Sequence, residues 1–175
     1  IVEAWHLGVE AGHALADVLF GRVNPSAKLT TTFPSSTGQC PIYYAHTSTG
    51  RPGGRSKFTS KYLDTPLEPL YCFGHGLSYT TYRYANLQAA QQGNDILVSV
   101  DIENTGDRDG EEIVQVYVRQ LTAARTRPVK KLADFTKLFI AAGVQKRCNF
   151  VIPAEKLGYY DEELNFVVEA GEYRI

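Results

Sequence analysis

No stretch of this sequence is apolar for long enough to cross a bilayer. Neither sign of charge is in excess: Lys and Arg total 18 against 19 Asp and Glu, a formal net charge of -1, so nothing marks the chain for nucleic acid or an anionic membrane surface. No signal peptide is recognisable, although a chain that opens "IVEAWHLG" without methionine leaves its natural start open. The cysteines are few, Cys40, Cys72 and Cys148, and lie far apart with no C-x-x-C or Cys/His ligand spacing, which excludes the usual zinc and dithiol motifs. They read as plain thiols, buried or partly buried, with one disulfide left open. His6, His13, His46 and His75 form no H-x-x-x-H pair, and no metal or cofactor is expected. What is present is ordinary for a globular chain of one to two domains: 43% hydrophobic and 21% charged residues in 175.

Two periodicities divide the chain. From Glu10 to Phe20, Ala11, Ala14, Leu15, Val18 and Leu19 fall on one face of an amphipathic helix, with Gly21 as its left-handed stop and Pro25 barring continuation. Two short β-prone pieces follow, "KLTTTF" and "PIYYA", which together with the helix read as the tail of an α/β layer. Beyond Thr80 the period becomes two. Ile96, Val98, Val100 and Ile102 share one face of "DILVSVDIEN", "NTGDRDG" is dense in turn formers, and Val114, Val116 and Val118 then alternate with Gln115 and Tyr117. Further β-prone runs at "ADFTKLFI", "KRCNFVI", "LNFVVE" and "EYRI" complete a pattern of many short strands. That pattern predicts an antiparallel β-sandwich of immunoglobulin or fibronectin type III kind. "EYRI" reaches Ile175 with no closing turn, so the segment is expected to belong to a longer polypeptide.

Between the two periodicities lies "PLYCFGHGLSYTTY", Pro69 to Tyr82. Gly74 and Gly76 permit tight backbone angles, and Phe73, Leu77 and Tyr79 are expected to be largely buried, stapling the two parts together. This stretch resembles the junction of glycoside hydrolase family 3, bacterial β-glucosidase type, with Cys72 and His75 where the family has proline and tyrosine. The resemblance extends upstream through "GVEAGHALADVLFGRVNPSAKLTTTFP", where Lys28-Leu29-Thr30 replaces the family's arginine-leucine-proline. Downstream it continues through "NTGDRDGEEIVQVYV", "RPVKKLADFTKLFIAAG" and "VVEAGEYRI".

The resemblance implies a mainly β chain: a fibronectin type III-like (immunoglobulin-like) β-sandwich over 80–175, preceded by the C-terminal part of an α/β sandwich domain over 1–68 and a linker over 69–79. It implies the C-terminal structural portion of a retaining exo-β-glycosidase, a β-glucosidase or β-xylosidase, periplasmic or secreted. The partners would be upstream barrel and α/β domains of the same polypeptide and a glycoside substrate. The barrel's aspartate nucleophile and the acid/base glutamate would both lie upstream, so no catalytic residue is expected here and the chain alone should be inactive. No G-x-S-x-G elbow and no P-loop lysine offers another chemistry.

The long polar loop Tyr43 to Asp64 carries the only binding candidates. By resemblance, Arg51, Lys57 and Tyr62 border a distal sugar subsite, whereas the residue pattern alone allows a surface loop packed on the sandwich. A free-standing carbohydrate-binding or cell-surface β-sandwich module is the competing reading. It would need an exposed aromatic platform on one sheet, and the motif succession weighs against it.

Overall fold

The computed structural model describes residues 1–54 and 56–175. The stripe of small and branched apolar residues winds into α1, Ala11–Leu19, and the Phe20 N–H still bonds the Ala16 carbonyl at 2.9 Å. Gly21 then takes φ +71, the left-handed conformation that a side chain disfavours, and the helix stops there. No residue of α1 is buried, and the next turn leaves Phe20 exposed as well.

"KLTTTF" and "PIYYA" do not become regular strands. A strand exists only where a neighbour supplies hydrogen bonds along its length, and these pieces meet single partners. Phe33 bridges Tyr71, Thr47 bridges Pro128, and Leu29 bonds Gly74 and His75. Residues 29–33 and 71–75 therefore run as a loose antiparallel ribbon.

The period-two region folds as expected. Its strands are β1 (Tyr82–Gln92), β2 (Asp95–Asn104), β3 (Gly110–Gln120), β4 (Lys131–Ile140), β5 (Gln145–Ile152), β6 (Tyr159–Tyr160), β7 (Phe166–Val167) and β8 (Tyr173–Arg174). One antiparallel sheet is ordered β1-β2-β5 and the other β4-β3-β8, with β6 and β7 a small hairpin beside them. Val98 faces Phe150 and Val100 faces Cys148 across β2 and β5. Their side chains meet Val114, Val116 and Val118 of β3, Ile140 of β4 and Leu157 of a short 3-10 turn in one core. Each such aliphatic side chain contributes about 1.5–3 kcal/mol when fully buried. β1 has no alternating signal in "YRYANLQAAQQ" because it is an edge strand, exposed along almost its whole length and bonded only to β2.

All three cysteines are free. Cys148 is buried in the core, but Cys40 and Cys72 are exposed, contrary to expectation. Gln39 turns inward in place of Cys40, its amide bonding the Pro66 and Glu68 carbonyls. Cys72 lies on the ribbon, where no second layer covers it.

The most buried polar side chain closes the sandwich at its junction end. Asn104, at 0% exposure, accepts from Thr80 Oγ1 at 2.6 Å and from the Gly106 N–H at 3.2 Å, and donates to the Arg108 and Ile140 carbonyls at 2.8 and 2.9 Å. It ties the end of β2, the β2–β3 turn, the end of β4 and the entry to β1 to one amide. Asn104→Ala strands the buried Ile140 carbonyl and Thr80 hydroxyl, at about 1–3 kcal/mol each, and loses the bond to the Arg108 carbonyl as well. We expect it to lower unfolding free energy by about 3 kcal/mol or more in urea titration, against less than about 0.5 kcal/mol for the exposed Gln92→Ala.

Candidate functional site

Where the ribbon meets the sandwich, close backbone approach and buried charge fix the joint. Gly74 has φ +81, and a Cβ there would run into the Gln115 and Tyr117 side chains. Its carbonyl instead accepts from Gln115 Nε2 at 3.1 Å, and Tyr117 donates to Gln115 Oε1 at 2.6 Å. Beside it, Glu112 lies on the inward parity of β3 with its side chain 9% exposed. Lys28 Nζ approaches one carboxylate oxygen at 3.1 Å and the Tyr84 hydroxyl donates to the other at 3.0 Å. Lys28 also donates to the Gly76 carbonyl at 3.3 Å. Burial, and then the neighbouring Glu112 charge, push the Tyr84 phenol well above its ordinary value. A cleft of about 360 Å³ opens over this cluster, lined among others by Lys28, Phe73, His75, Glu112, Tyr117 and Lys130.

Polar contacts continue along the joint. Asn24 Oδ1 accepts from the Tyr79 N–H at 2.8 Å, and its amide pairs with Ser78. Arg108 donates to the Gly21 carbonyl at 3.1 Å and Tyr79 to the Val18 carbonyl at 2.8 Å. The expected aromatic staple is therefore only partly realised. Phe73 is half-buried and stacks on Tyr44 at 4.2 Å, but Leu77 is 78% and Tyr79 46% exposed. The backbone alternates here: Ser78 and Thr80 turn inward to Asn24 and Asn104, so Leu77 and Tyr79 point outward.

The same joint holds the base of the loop that carries the binding candidates. Tyr44 lies between Phe73 and the edge of Tyr117, and its hydroxyl accepts from the Leu132 N–H at 3.3 Å. The His46 carbonyl accepts from the Val129 N–H at 2.9 Å, and Thr47 bridges Pro128. Beyond this base the loop folds on itself: the Ser60 N–H reaches the Arg51 carbonyl at 3.1 Å and Thr59 Oγ1 bonds the Gly54 and Ser56 carbonyls. Arg51, Lys57 and Tyr62 are all exposed. Lys57 rests over the Phe58 ring at 4.9 Å, and among the described residues no side-chain hydrogen bond or ion pair engages any of the three. The structure thus gives them a common, solvent-facing loop without bringing their side chains together.

Two buried carboxylates and the partly exposed Glu169 are committed to structure. Glu112 has Lys28 and Tyr84, and Asp101 has Arg147 at 3.3 Å and Asn86 at 2.8 Å. Glu169 accepts from the Tyr159 hydroxyl at 2.7 Å and from the Ala124 N–H, which hold its carboxyl below the usual range, the opposite of what a proton donor near neutrality requires. Among the described residues no group of His, Cys, Asp or Glu is arranged to hold a metal ion. The sequence reading missed Glu112, Asn24 and Asn104. Glu112 was detectable, since it continues the Val114, Val116, Val118 parity as a lone charge.

Residues 1–79 match the Glycosyl hydrolase family 3 C-terminal domain and residues 112–175 the Fibronectin type III-like domain. A periplasmic beta-glucosidase from Salmonella typhimurium is 41% identical over 182 residues, covering 100% of this chain and 24% of the relative. A beta-xylosidase from Formosa agariphila is 38% identical over 180 residues, again 100% of the chain and 24% of the relative. Among solved structures, a beta-glucosidase from Listeria innocua in complex with gluconolactone superposes with a TM-score of 0.88 at 39% identity, over 97% of this chain and 24% of that one. The chain spans about a quarter of the length of the curated relatives it matches.

Two substitutions test the joint. Lys28→Met leaves Glu112 buried without its cation, and removing one partner of a buried pair costs about 3–5 kcal/mol, so a loss of roughly that size is expected in urea titration. The Tyr84 phenol binds its proton more tightly in the folded than in the unfolded chain, so its stability contribution is complete below about pH 10 and declines as pH rises above it. Between about pH 8 and about pH 11 the urea midpoint should therefore fall, and Tyr84→Phe should flatten that fall while lowering the midpoint at the lower pH.

Proposed function

Since the chain belongs to glycoside hydrolase family 3, carrying its C-terminal domain and a fibronectin type III-like domain, we propose that it is the C-terminal structural portion of a retaining exo-acting β-glucosidase or β-xylosidase that removes terminal β-linked sugars. The observation that carries this reading is the match over the whole chain to enzymes of both names, with the two domain models in the same order. In this reading residues 1–68 finish an α/β domain, 69–79 link it to the sandwich, and 80–175 form the fibronectin type III-like unit. The partners are a barrel and the rest of the α/β domain upstream in the same polypeptide, and a glycoside. The exposed Trp5, Leu19, Phe20 and Val23 are the apolar surface that the upstream part of the α/β domain covers. A periplasmic or secreted location accords with the Salmonella relative.

Retaining hydrolysis needs two carboxyl groups about 5–5.5 Å apart, one nucleophile and one acid/base. In this reading both catalytic groups come from the upstream part, and the carboxylates described above serve structural partners. The role of this chain is mechanical: the polar joint fixes the sandwich, and the Tyr44–Phe73–Tyr117 stack carries the loop toward a distal sugar subsite bordered by Arg51, Lys57 and Tyr62. Arginine, lysine and tyrosine suit sugar hydroxyls as hydrogen-bond donors, and tyrosine adds a stacking face.

The experiment compares the full-length polypeptide with the 175-residue chain. The chain alone should not hydrolyse an activated aryl β-glucoside above the buffer rate, while the full-length enzyme should. In the full-length enzyme, Arg51→Ala and Tyr62→Ala should each raise KM for an oligosaccharide roughly 2- to 12-fold, the worth of one hydrogen bond of about 0.5–1.5 kcal/mol, with kcat on the aryl glucoside unchanged. Turnover by the chain alone would overturn the assignment of both catalytic groups to the upstream region. An unchanged KM would remove the loop from the subsite.

A further inference from the structure

At the end of the sandwich away from the joint with α1, the inward parity of β3 ends in a second polar residue. Gln120 is 7% exposed, yet both its Oε1 and its Nε2 are buried without a hydrogen-bond partner, and so is Arg127 Nε. This is unusual, because a buried polar atom without a partner costs about 1–3 kcal/mol. Both side chains line one small cavity of about 20 Å³, whose other walls include Val118, Lys131, Lys156, Leu157 and Tyr173. The rest of the Arg127 guanidinium is fixed: its terminal nitrogen donates to the Leu157 carbonyl at 2.8 Å, and the group lies over the Tyr159 ring at 4.4 Å.

We propose that this cavity is a binding site for a single structural water, whose oxygen accepts from Arg127 Nε and one of whose hydrogens goes to Gln120 Oε1. Three observations select water. The volume exceeds the roughly 10–15 Å³ one water needs and leaves no room for an organic group. A cation would face a guanidinium, and an anion would face the Gln120 amide oxygen, while the two lysines of the wall are already engaged, Lys131 by the Lys156 carbonyl and Lys156 by Asp134. Only a molecule that both donates and accepts satisfies an N–H and an amide oxygen together. The remaining Gln120 amine faces Gly171, 3.7 Å from where a Cβ would stand, on the side of a larger cleft of about 600 Å³. The bridge links the end of β3 to the segment that begins at Arg127. Two residues on, that segment bonds His46 at the base of the long loop.

A crystal structure of the chain at a resolution that orders solvent tests this directly. One full-occupancy water within about 2.7–3.2 Å of both Gln120 Oε1 and Arg127 Nε is expected. A dry cavity, or protein groups occupying both atoms, overturns the proposal. In solution, deuterium relaxation dispersion counts long-lived internal waters. The count should fall by one in Gln120→Leu and stay the same in the exposed control Gln92→Leu, and an unchanged count in Gln120→Leu overturns the proposal. If Gln120→Leu fails to fold, the unsubstituted structure still decides the outcome.

Discussion

A carboxylate taken out of water must be met by a cation and by hydrogen-bond donors, and Glu112 finds both only by drawing together separate parts of the chain. Its own strand supplies neither. Lys28 arrives from the irregular segment after α1 and Tyr84 from the edge strand β1, so the charge is satisfied only when the first third of the chain is docked on the sandwich. Lys28 also bonds the Gly76 carbonyl, which brings the junction segment into the same arrangement. An apolar residue at this position would bury well with the chain docked in several orientations. A buried ion pair with a directional hydroxyl is satisfied in one.

The other contacts at the joint share this directional character. Asn24, Gln115 and Arg108 meet backbone groups of the opposing part, and Asn104 binds the entry to β1 through Thr80. Aromatic burial contributes at one place, the Tyr44–Phe73 stack, and that stack sits under the loop. The division of labour has a physical logic. Hydrogen bonds between fixed groups set an angle, whereas an apolar face mainly sets a distance, and the base of the loop rests on a joint of the first kind.

The sandwich was legible because its signal is periodic: Ile96 to Ile102 and Val114 to Val118 mark the inward faces of two strands, and "NTGDRDG" marks the turn between them. α1 was legible for the same reason, with Gly21 as its stop. What escaped were features without a period. β1 is exposed along its length and so carries no alternation, and "KLTTTF" reads as a strand although its backbone meets single partners. Leu77 and Tyr79 were expected inside because they are apolar, but parity decides direction, and Ser78 and Thr80 hold the inward positions. Arg51, Lys57 and Tyr62 were placed by resemblance alone, and their geometry, exposed and without mutual contact, adds a loop but no pocket.

The distribution of charge accords with the structural role proposed for this chain. A glycosidase acid needs a pKa raised toward neutrality, and a nucleophile needs a second carboxyl close across an open cleft. The carboxylates tied into this fold are engaged by structural partners instead. Asp101 and Glu112 each meet a cation, and the Tyr159 hydroxyl and a backbone N–H favour the ionised form of Glu169. Each such pairing ties a carboxylate of one segment to a donor of another. Contacts of this kind suit the bracing role proposed for this chain, since each holds separate segments of it in one arrangement.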